Sequence, residues 1–491
     1  MKKNIAFGFI LIWFSQIACA QYISPGTGVV WDFDDLVEHA QGAFVFDSSY
    51  KMVDDITISA NDTLRHAVNA MMVIEEAMLM TIEGVLQLTP PDSIVISQAN
   101  QEQFFKGFRF ENSASSIMDK CIIHRGGGIK LVYSDVLFTN CKFRENSTLN
   151  CTGTIDLFHS SPDIVNCEFM NNQGPAVLSA ANGESSPYIY NNLMYRNNTL
   201  NTNMPQINLG TSDGVLPIRI IKNTVEGFYT NSGGIAITTL AGGSVECIID
   251  SNMIFNNRYG ITAYGFDINS IISNNEIYDN NIENLPMQGG SGINYWGGTS
   301  NTSMVFKNKI YGNLWGITIT GDALPNLGQI DPDTINIGHN KFFDNGNNEE
   351  IFALYNNTPN AIYAENNYWG YYDQDSVENV IFHYPDDETL GFVDYLPYVD
   401  TLLTSYRELI PKNIYVFPNP ANNYFIIERP EEFSKNQEVE LFIYNSLGKL
   451  VHRRRTFSTQ IEIDISSLPA GLYPLRLSDG ISVYSTQLIK N

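Results

Sequence analysis

Residues 273–281 read SNNEIYDNN, in which an apolar Ile277 and an aromatic Tyr278 are enclosed by asparagine. Related stretches recur along the chain as NCKFREN at 140–146, NCEFMNN at 166–172, NNLMYRN at 191–197, SNMIFNN at 251–257, KNKIYGN at 307–313 and HNKFFDN at 339–345. The shared pattern is x-(Asn/Cys)-x-apolar-x-x-Asn. Its recurrence predicts one structural unit that is repeated over most of the chain.

Ten such units can be aligned, and successive units lie 20 to 33 residues apart. Their second position is held by Cys121, Cys141, Cys167, Asn192, Asn223, Asn252, Asn275, Asn308, Asn340 and Asn367, and the closing asparagine falls at 146, 172, 197, 257, 280, 313 and 345. Short runs that alternate apolar with polar residues flank most units, and the run that follows a unit often opens with glycine. This is strand periodicity, so the units predict a chain that winds through two or three short strands per turn.

Asparagine at one position of every coil has a structural explanation. Neighbouring coils lie about 4.8 Å apart, which lets each side-chain amide hydrogen-bond to the next along a ladder. Asparagine also tolerates the left-handed backbone that a corner requires, and glycine suits a tight strand entry. We therefore predict a structural ladder at Asn192, Asn223, Asn252, Asn275, Asn308, Asn340 and Asn367, and we assign no catalytic residue among them.

On these units the chain resembles right-handed parallel β-helix repeat proteins, whose fold is shared by pectate lyases and polygalacturonases. The coil Asn367-Tyr-Trp-Gly370 and the exit Gly391-Phe-Val-Asp-Tyr-Leu-Pro397 resemble the terminal segment of one such group, and residues 54–88 resemble its opening coils. The resemblance implies an all-β, pectin-lyase-type β-helix over residues 55–398, preceded by a lead-in or cap at 21–54. It does not specify an activity.

The repeat stops after residue 398, and residues 399–412 look like a linker. Alternating strands separated by Asn-Pro, Leu-Gly and Ala-Gly turns then predict a small antiparallel β-sandwich over 413–491. Phe417-Pro-Asn-Pro-Ala421, Tyr444-Asn-Ser-Leu-Gly-Lys-Leu-Val451 and Leu488-Ile-Lys490 resemble the type A C-terminal sorting domain of the Bacteroidetes type IX secretion system. That resemblance implies that the tail is an export signal, and that its partner is the type IX secretion machinery.

The N-terminus carries the features of a secretory signal. Lys2 and Lys3 precede an apolar run, and Ala18-Cys-Ala20 supplies a cleavage site, so residues 1–20 are expected to be removed and the protein secreted or displayed on the outer cell surface. No other stretch predicts a transmembrane segment. The formal net charge of −25 disfavours nucleic acid as a partner but is compatible with a polysaccharide or with Ca²⁺.

The sequence does not show a catalytic constellation, and two functions stay open. Insertions at 281–291, 297–303 and 319–333 predict a ligand face near Tyr259, Tyr295, Trp296 and Trp315, although aromatic residues also fill such cores. Asp331 and Asp333 share one insertion and are a possible Ca²⁺ pair; no other cofactor is expected. We favour a glycan-binding or adhesin-like module, with a polysaccharide lyase or glycoside hydrolase for a plant or host polysaccharide as the alternative.

Cysteine occupies the ladder position in the first three units, at Cys121, Cys141 and Cys167. Side chains stacked on adjacent coils run parallel, which is the wrong direction for a disulfide even though the coil spacing would permit one. We therefore predict free, buried thiols at these three positions.

Overall fold

The computed structural model describes residues 21–399, except 101, 114, 332–333 and 349, and residues 414–491, except 415, 429–438, 446–448 and 479–482. The expected signal peptide and most of the linker lie outside these residues. Strands dominate, and the two helices are short: α1 (Phe33–His39) and α2 (Gln374–Glu378). Three long sheets, named A, B and C, run side by side through residues 22–382.

Sheet A consists of β1 (Tyr22–Ile23), β5 (Ile56–Ile58), β8 (Leu79–Ile82), β11 (Gly107–Glu111), β14 (Ile129–Val132), β17 (Ile155–Phe158), β20 (Val177–Ser179), β23 (Ile207–Leu209), β26 (Ile235–Thr238), β29 (Ile261–Gly265), β32 (Ser291–Gly297), β35 (Trp315–Gly321), β42 (Leu354–Asn357) and β44 (Ile381–Phe382). Sheet B consists of β2 (Val30–Trp31), β6 (Thr63–His66), β9 (Val85–Leu88), β12 (Ile117–Asp119), β15 (Leu137–Thr139), β18 (Asp163–Val165), β21 (Tyr188–Tyr190), β24 (Ile218–Ile221), β27 (Val245–Asp250), β30 (Ile268–Ser273), β33 (Asn301–Phe306) and β36 (Leu324–Asn326). Sheet C consists of β3 (Phe44–Phe46), β4 (Tyr50–Met52), β7 (Ala70–Ile74), β10 (Ile94–Gln98), β13 (Cys121–His124), β16 (Lys142–Arg144), β19 (Glu168–Met170), β22 (Leu193–Tyr195), β25 (Thr224–Glu226), β28 (Met253–Phe255), β31 (Glu276–Tyr278), β34 (Lys309–Tyr311) and β39 (Lys341–Phe343). The remaining strands of this region pair locally as β37 (Gln329–Asp331) with β38 (Thr334–Asn336), β40 (Gly346–Asn347) with β41 (Glu350–Ile351), and β43 (Ile362–Tyr363) with β45 (Val393–Asp394).

The chain visits sheets B, C and A in turn, and each strand pairs in parallel with its counterpart in the next coil; the antiparallel β3–β4 hairpin in sheet C is an exception. The repeat unit supplies the sheet C strand, and the run that precedes it supplies the sheet B strand. This confirms the predicted all-β parallel β-helix. The coils begin earlier than expected. Strands β1 and β2 lie in residues 21–54, the segment assigned to the lead-in, and they already pair with β5 and β6.

The predicted asparagine ladder lies inside the coils. Its seven members are at most 3% exposed, and each of the first six donates from Nδ2 to Oδ1 of the next at 2.9–3.0 Å. The same Oδ1 accepts the backbone N–H of the preceding ladder asparagine, while Nδ2 also donates to a main-chain carbonyl, as from Asn275 to Ile249 at 2.8 Å. The amides therefore satisfy backbone groups at the corner between sheets B and C.

The closing asparagines form a second ladder at the other end of the sheet C strands. Consecutive amides bond at 2.7–3.2 Å from Asn146 to Asn345. The repeat unit at 222–228 lacks the closing asparagine, and Gln206 takes its place by accepting from Asn197 at 3.0 Å and donating to Asn257 at 3.2 Å. Gln206 enters from the segment before β23, so the repeat pattern did not indicate it.

The left-handed corner residues are not the ladder asparagines, which corrects one part of the expectation. The residue immediately before each ladder asparagine has φ of 54–60°, at Asn191, Lys222, Ser251, Asn274, Lys307, His339 and Asn366. This residue turns the chain, and the asparagine that follows points into the interior. The glycines that open sheet A strands also have a different cause: a Cβ on Gly234 or Gly260 would lie 2.4 Å from a carbonyl oxygen of the next coil.

Cysteine takes over the donor part of the amide's role in the early coils. The Cys141 thiol donates to the Met118 carbonyl at 3.1 Å and lies in the interior beside Cys121 and Cys167. Burial raises the pKa of the Cys141 and Cys167 thiols well above the usual value. None of the five cysteines that the structure describes forms a disulfide, which confirms the prediction of free thiols at these three positions.

Both ends of the β-helix are closed by polar anchors beneath a short helix. Near α1, the buried Asp62 carboxylate accepts the Ser24 hydroxyl at 2.6 Å and the Gly26 amide at 2.7 Å, which ties the first coil to the second. Near α2, the buried His383 accepts the Val393 amide at 2.9 Å. These contacts fix the first coil and the last strand of the β-helix beside the two short helices.

The tail forms a separate antiparallel core. One sheet contains β46 (Val416–Phe417), β47 (Tyr424–Glu428) and β50 (Gln460–Asp464), and the other contains β49 (Leu450–Thr456), β48 (Val439–Tyr444), β51 (Gly471–Ser478) and β52 (Val483–Lys490). Phe425, Leu441, Ile463, Leu475 and Leu488 are among its buried residues. The predicted small antiparallel β domain is confirmed.

The first ladder can be tested at Asn275. The Asn275→Ala variant leaves the backbone N–H of Asn252 without its acceptor and the Ile249 carbonyl without the side-chain amide donor. Because each buried unsatisfied group costs about 1–3 kcal/mol, we expect the free energy of unfolding to fall by about 3 kcal/mol or more in urea denaturation followed by circular dichroism. Asn357→Ala, at an exposed position of β42, is the control and should cost less than about 0.5 kcal/mol. Equal losses would contradict a stabilising ladder.

The N-terminal cap should be sensitive to acid through His66. Its buried ring stacks on Phe33 of α1 at 4.0 Å, and burial lowers its pKa, with Asp32 and Asp34 acting in the opposite direction. The neutral imidazole is favoured when folded, so its contribution is complete above the unfolded pKa of about 6.5 and is lost as the pH falls below it. His66→Phe should therefore reduce the difference in thermal midpoint between pH 7.5 and pH 5. An unchanged difference would contradict this role.

Candidate functional site

Sheet A widens in the coils around residues 261–321. Strands β32 and β35 contain seven residues each, whereas β29 contains five and most sheet A strands before it contain three to five. The expected insertions are partly responsible, but only the first is a loop: residues 301–306 form β33, and residues 315–321 belong to β35. The widened sheet offers the broad outward face that the sequence analysis had attributed to loops.

One outward column of this face is a hydrogen-bonded polar row. Asn294 donates to the Thr262 hydroxyl at 2.8 Å and accepts the Thr318 hydroxyl at 2.8 Å. The residues pair in register through β29, β32 and β35, and Tyr355 of β42 continues the column. Thr318 is buried and its hydroxyl also pairs with that of Ser291 at 2.9 Å, so the row fixes the direction of the half-buried Asn294 amide and Thr262 hydroxyl.

The next outward column is aromatic. The rings of Tyr264 and Trp296 stack with centroids 4.3 Å apart and planes 12° apart, and Trp296 is 39% exposed. Phe266, 55% exposed, lies beside them at the end of β29, and a Cβ on Gly298 would meet its ring. We name the two columns the sheet A surface, defined by Thr262, Tyr264, Asn294, Trp296, Thr318 and Tyr355.

The structure separates the four aromatic residues proposed from the sequence. Trp296 is on the sheet A surface, whereas Tyr295 is its neighbour along β32 and points into the core, where it is fully buried. Tyr259 lies half-buried at the entry to β29 with its ring over Gly233. Burial raises the pKa of Tyr259 to about 12, so its hydroxyl stays neutral.

Trp315 holds the insertion at 281–291 in place. Its Nε1 donates to the Pro286 carbonyl at 2.9 Å, and its ring packs on Phe352 at 4.7 Å. Arg258 fixes the same insertion by donating to the Glu283 carboxylate and to the Gln288 carbonyl. The insertion at 281–291 is therefore held in one conformation beside the first residues of the sheet A strands β29, β32 and β35.

The possible Ca²⁺ pair at Asp331 and Asp333 stays a prediction, because the described residues include only one of its two members. Asp331 ends β37, where its backbone pairs with Thr334, and Asp333 lies outside the described residues. Within the described ranges there is also no group of three or more His, Cys, Asp or Glu side chains with metal-binding geometry.

Titratable groups on the same face lie several coils toward the N-terminus and are paired with one another. Lys130 donates to Asp156 at 2.5 Å, and the other oxygen of this 6% exposed carboxylate accepts the Thr152 amide at 3.1 Å. Arg109 and Glu111 form a neighbouring ion pair. By contrast, the outward side chains of β29, β32 and β35 are uncharged, which suits an uncharged ligand.

Comparison with known families divides the chain in the same way. Residues 41–225 match the family described as right handed beta helix region, and residues 415–491 match the secretion system C-terminal sorting domain. No curated protein matches the chain. Neither of the short helices in the described part of the chain is long and apolar enough to cross a membrane.

Export can be tested by removing the tail. A chain that lacks residues 413–491 retains every sheet of the β-helix, so we expect it to fold and to accumulate in the periplasm. Cell fractionation and protease treatment of intact cells would measure its location. The full chain with Trp296→Ala is the control and should reach the surface. Normal surface arrival of the truncated chain would show that the tail is not required.

Proposed function

Because this chain is a right-handed parallel β-helix that ends in a sorting domain of the type IX secretion system, we propose that it works outside the cell as a glycan-binding module. The sorting domain supports export through that system. The signal features of residues 1–20 belong to the same proposal, since passage through the inner membrane precedes recognition of the tail. The ligand assignment depends on the sheet A surface.

The pairing of exposed aromatic rings with fixed hydroxyl and amide groups supports a sugar ligand. Sugar rings present apolar C–H surfaces, which pack on aromatic side chains, and hydroxyl groups, which need directional partners. Trp296 and Tyr264 supply the first kind of contact, and the row through Asn294 supplies the second. The exposed Trp296 beside this row is the observation that carries the proposal.

The absence of charge on the outward faces of β29, β32 and β35 favours a neutral glycan over an acidic one. A uronic acid polymer would need cations to compensate its carboxylates. The nearest cations on the sheet A strands toward the N-terminus, Lys130 and Arg109, are engaged with Asp156 and Glu111. We therefore propose a neutral polysaccharide, bound along consecutive coils.

Catalysis, the alternative function, requires a free acid or base within reach of the bound sugar. The Lys130–Asp156 pair joins a base and an acid on the outward side of sheet A, and both carboxylate oxygens already accept hydrogen bonds. The pairing favours a structural role for these groups. A lyase or hydrolase would be detected by new unsaturated or reducing ends after incubation with polysaccharides, with and without Ca²⁺.

We expect Trp296→Ala to weaken binding to a neutral polysaccharide by about tenfold, which corresponds to about 1.4 kcal/mol of lost stacking and apolar contact. Affinity electrophoresis or calorimetry against a panel of neutral and acidic polysaccharides would measure the effect. Phe158→Ala is the matched control, because Phe158 is an outward aromatic residue of sheet A in an early coil. Equal weakening by both variants, or release of new chain ends, would contradict the proposal.

A further inference from the structure

Three apolar side chains on the outer face of sheet B are buried. In β27, Val245, Cys247 and Ile249 point inward, so Ile248 points outward by strand alternation. The register places Ile248, Ile271 and Met304 side by side in consecutive coils. Although they face away from the interior of the coils, they are only 2%, 1% and 4% exposed. We name these three residues the docking patch.

The sorting domain covers the docking patch. Leu472 of β51 and Ile489 of β52 belong to one apolar cluster with the patch. Leu472 and Ile489 are register partners, so they lie together on one face of their sheet, while Leu475 and Leu488 lie in the sorting-domain core. Strands β51 and β52 therefore bury apolar side chains on both faces. One face packs on the core of the sorting domain, and the other packs on the β-helix.

The docking patch is limited to the coils that the tail covers. In the same outward column, Arg219 pairs with Ile248 on one side and Asn326 pairs with Met304 on the other. A polar residue thus follows at each end of the apolar run. At its margin, burial and the nearby Glu246 carboxylate raise the pKa of Tyr473 of the sorting domain. The apolar run is therefore confined to the stretch of this column whose members cluster with Leu472 and Ile489.

We propose that the sorting domain docks in cis on the β-helix through this patch, so that its terminal strand is held against sheet B before export. Ile489 lies two residues from the end of the chain, within the Leu488-Ile-Lys490 motif of the sorting tail. Secretion machinery that engages β52 must displace this contact. Detachment of the tail then uncovers an apolar face that spans three coils.

Methionine oxidation of the full chain tests the contact directly, because oxidation by hydrogen peroxide follows side-chain exposure. Met304 lies in the patch, Met253 on sheet C is 40% exposed, and Met194 is fully buried in the core. In the parent chain we expect Met304 to be oxidised at least about tenfold more slowly than Met253, and at a rate close to that of Met194. Peptide mapping by mass spectrometry gives the three rates.

Substitution on either side of the contact should release Met304. We expect Ile489→Asp in the tail, and Ile271→Asp in the patch, each to bring the Met304 rate to within about threefold of the Met253 rate. Leu137→Asp is the matched control, because Leu137 belongs to the same outward column of sheet B but lies four coils before Ile248. It should leave Met304 protected.

The Met194 rate distinguishes undocking from unfolding. If one variant also exposes Met194, the other variant decides the test. Rapid oxidation of Met304 in the parent would overturn the proposal, and so would slow oxidation of Met304 in a variant that keeps Met194 protected. These results do not depend on glycan binding, so the two proposals can fail separately.

Discussion

The hydrogen bond between asparagine side chains of adjacent coils is the interaction on which this fold depends. At each corner of the coil the backbone leaves the sheets, and its buried N–H and C=O groups need partners. An amide that accepts one backbone N–H, donates to one backbone carbonyl and also bonds to the next amide meets this need in the coils from Asn192 onward, as Asn275 does. The spacing of the ladder equals the spacing of the strands, so each stabilises the register of the other.

Because the inner columns fix the register, the outer columns of the sheets can vary. Sheet A carries ion pairs at Lys130 and Asp156 in its early coils and an uncharged surface around Trp296 in its later coils. Sheet B carries Arg219 and Asn326 at two outward positions and, between them, an apolar patch around Ile271 where the tail lies. Function on this scaffold therefore depends on the identity of the outward residues, and the repeated inward residues do not specify a function.

The ends of the β-helix and the tail contain contacts that the repeat unit does not provide. A stack of coils presents open edges, and here α1 contacts β2 and β3 at one end while α2 contacts β44 at the other. The sorting domain adds a lateral contact in addition to its role in export. A single chain thus combines a stabilised repeat, a short helix at each end and a tail that covers part of sheet B, and each is built from different residues.

The sequence alone determined the parallel β-helix, the ladder asparagines, the free cysteines and the antiparallel tail, because these follow from periodicity and from motifs that recur at fixed spacing. Tertiary structure decided the rest. Gln206 completes the second ladder from outside the repeat unit, and Tyr295 lies in the core while its neighbour Trp296 is exposed, since alternation along β32 depends on a register that the sequence does not state. The contact between Ile271 and the tail joins residues more than 200 positions apart, and no local pattern encodes such a distance.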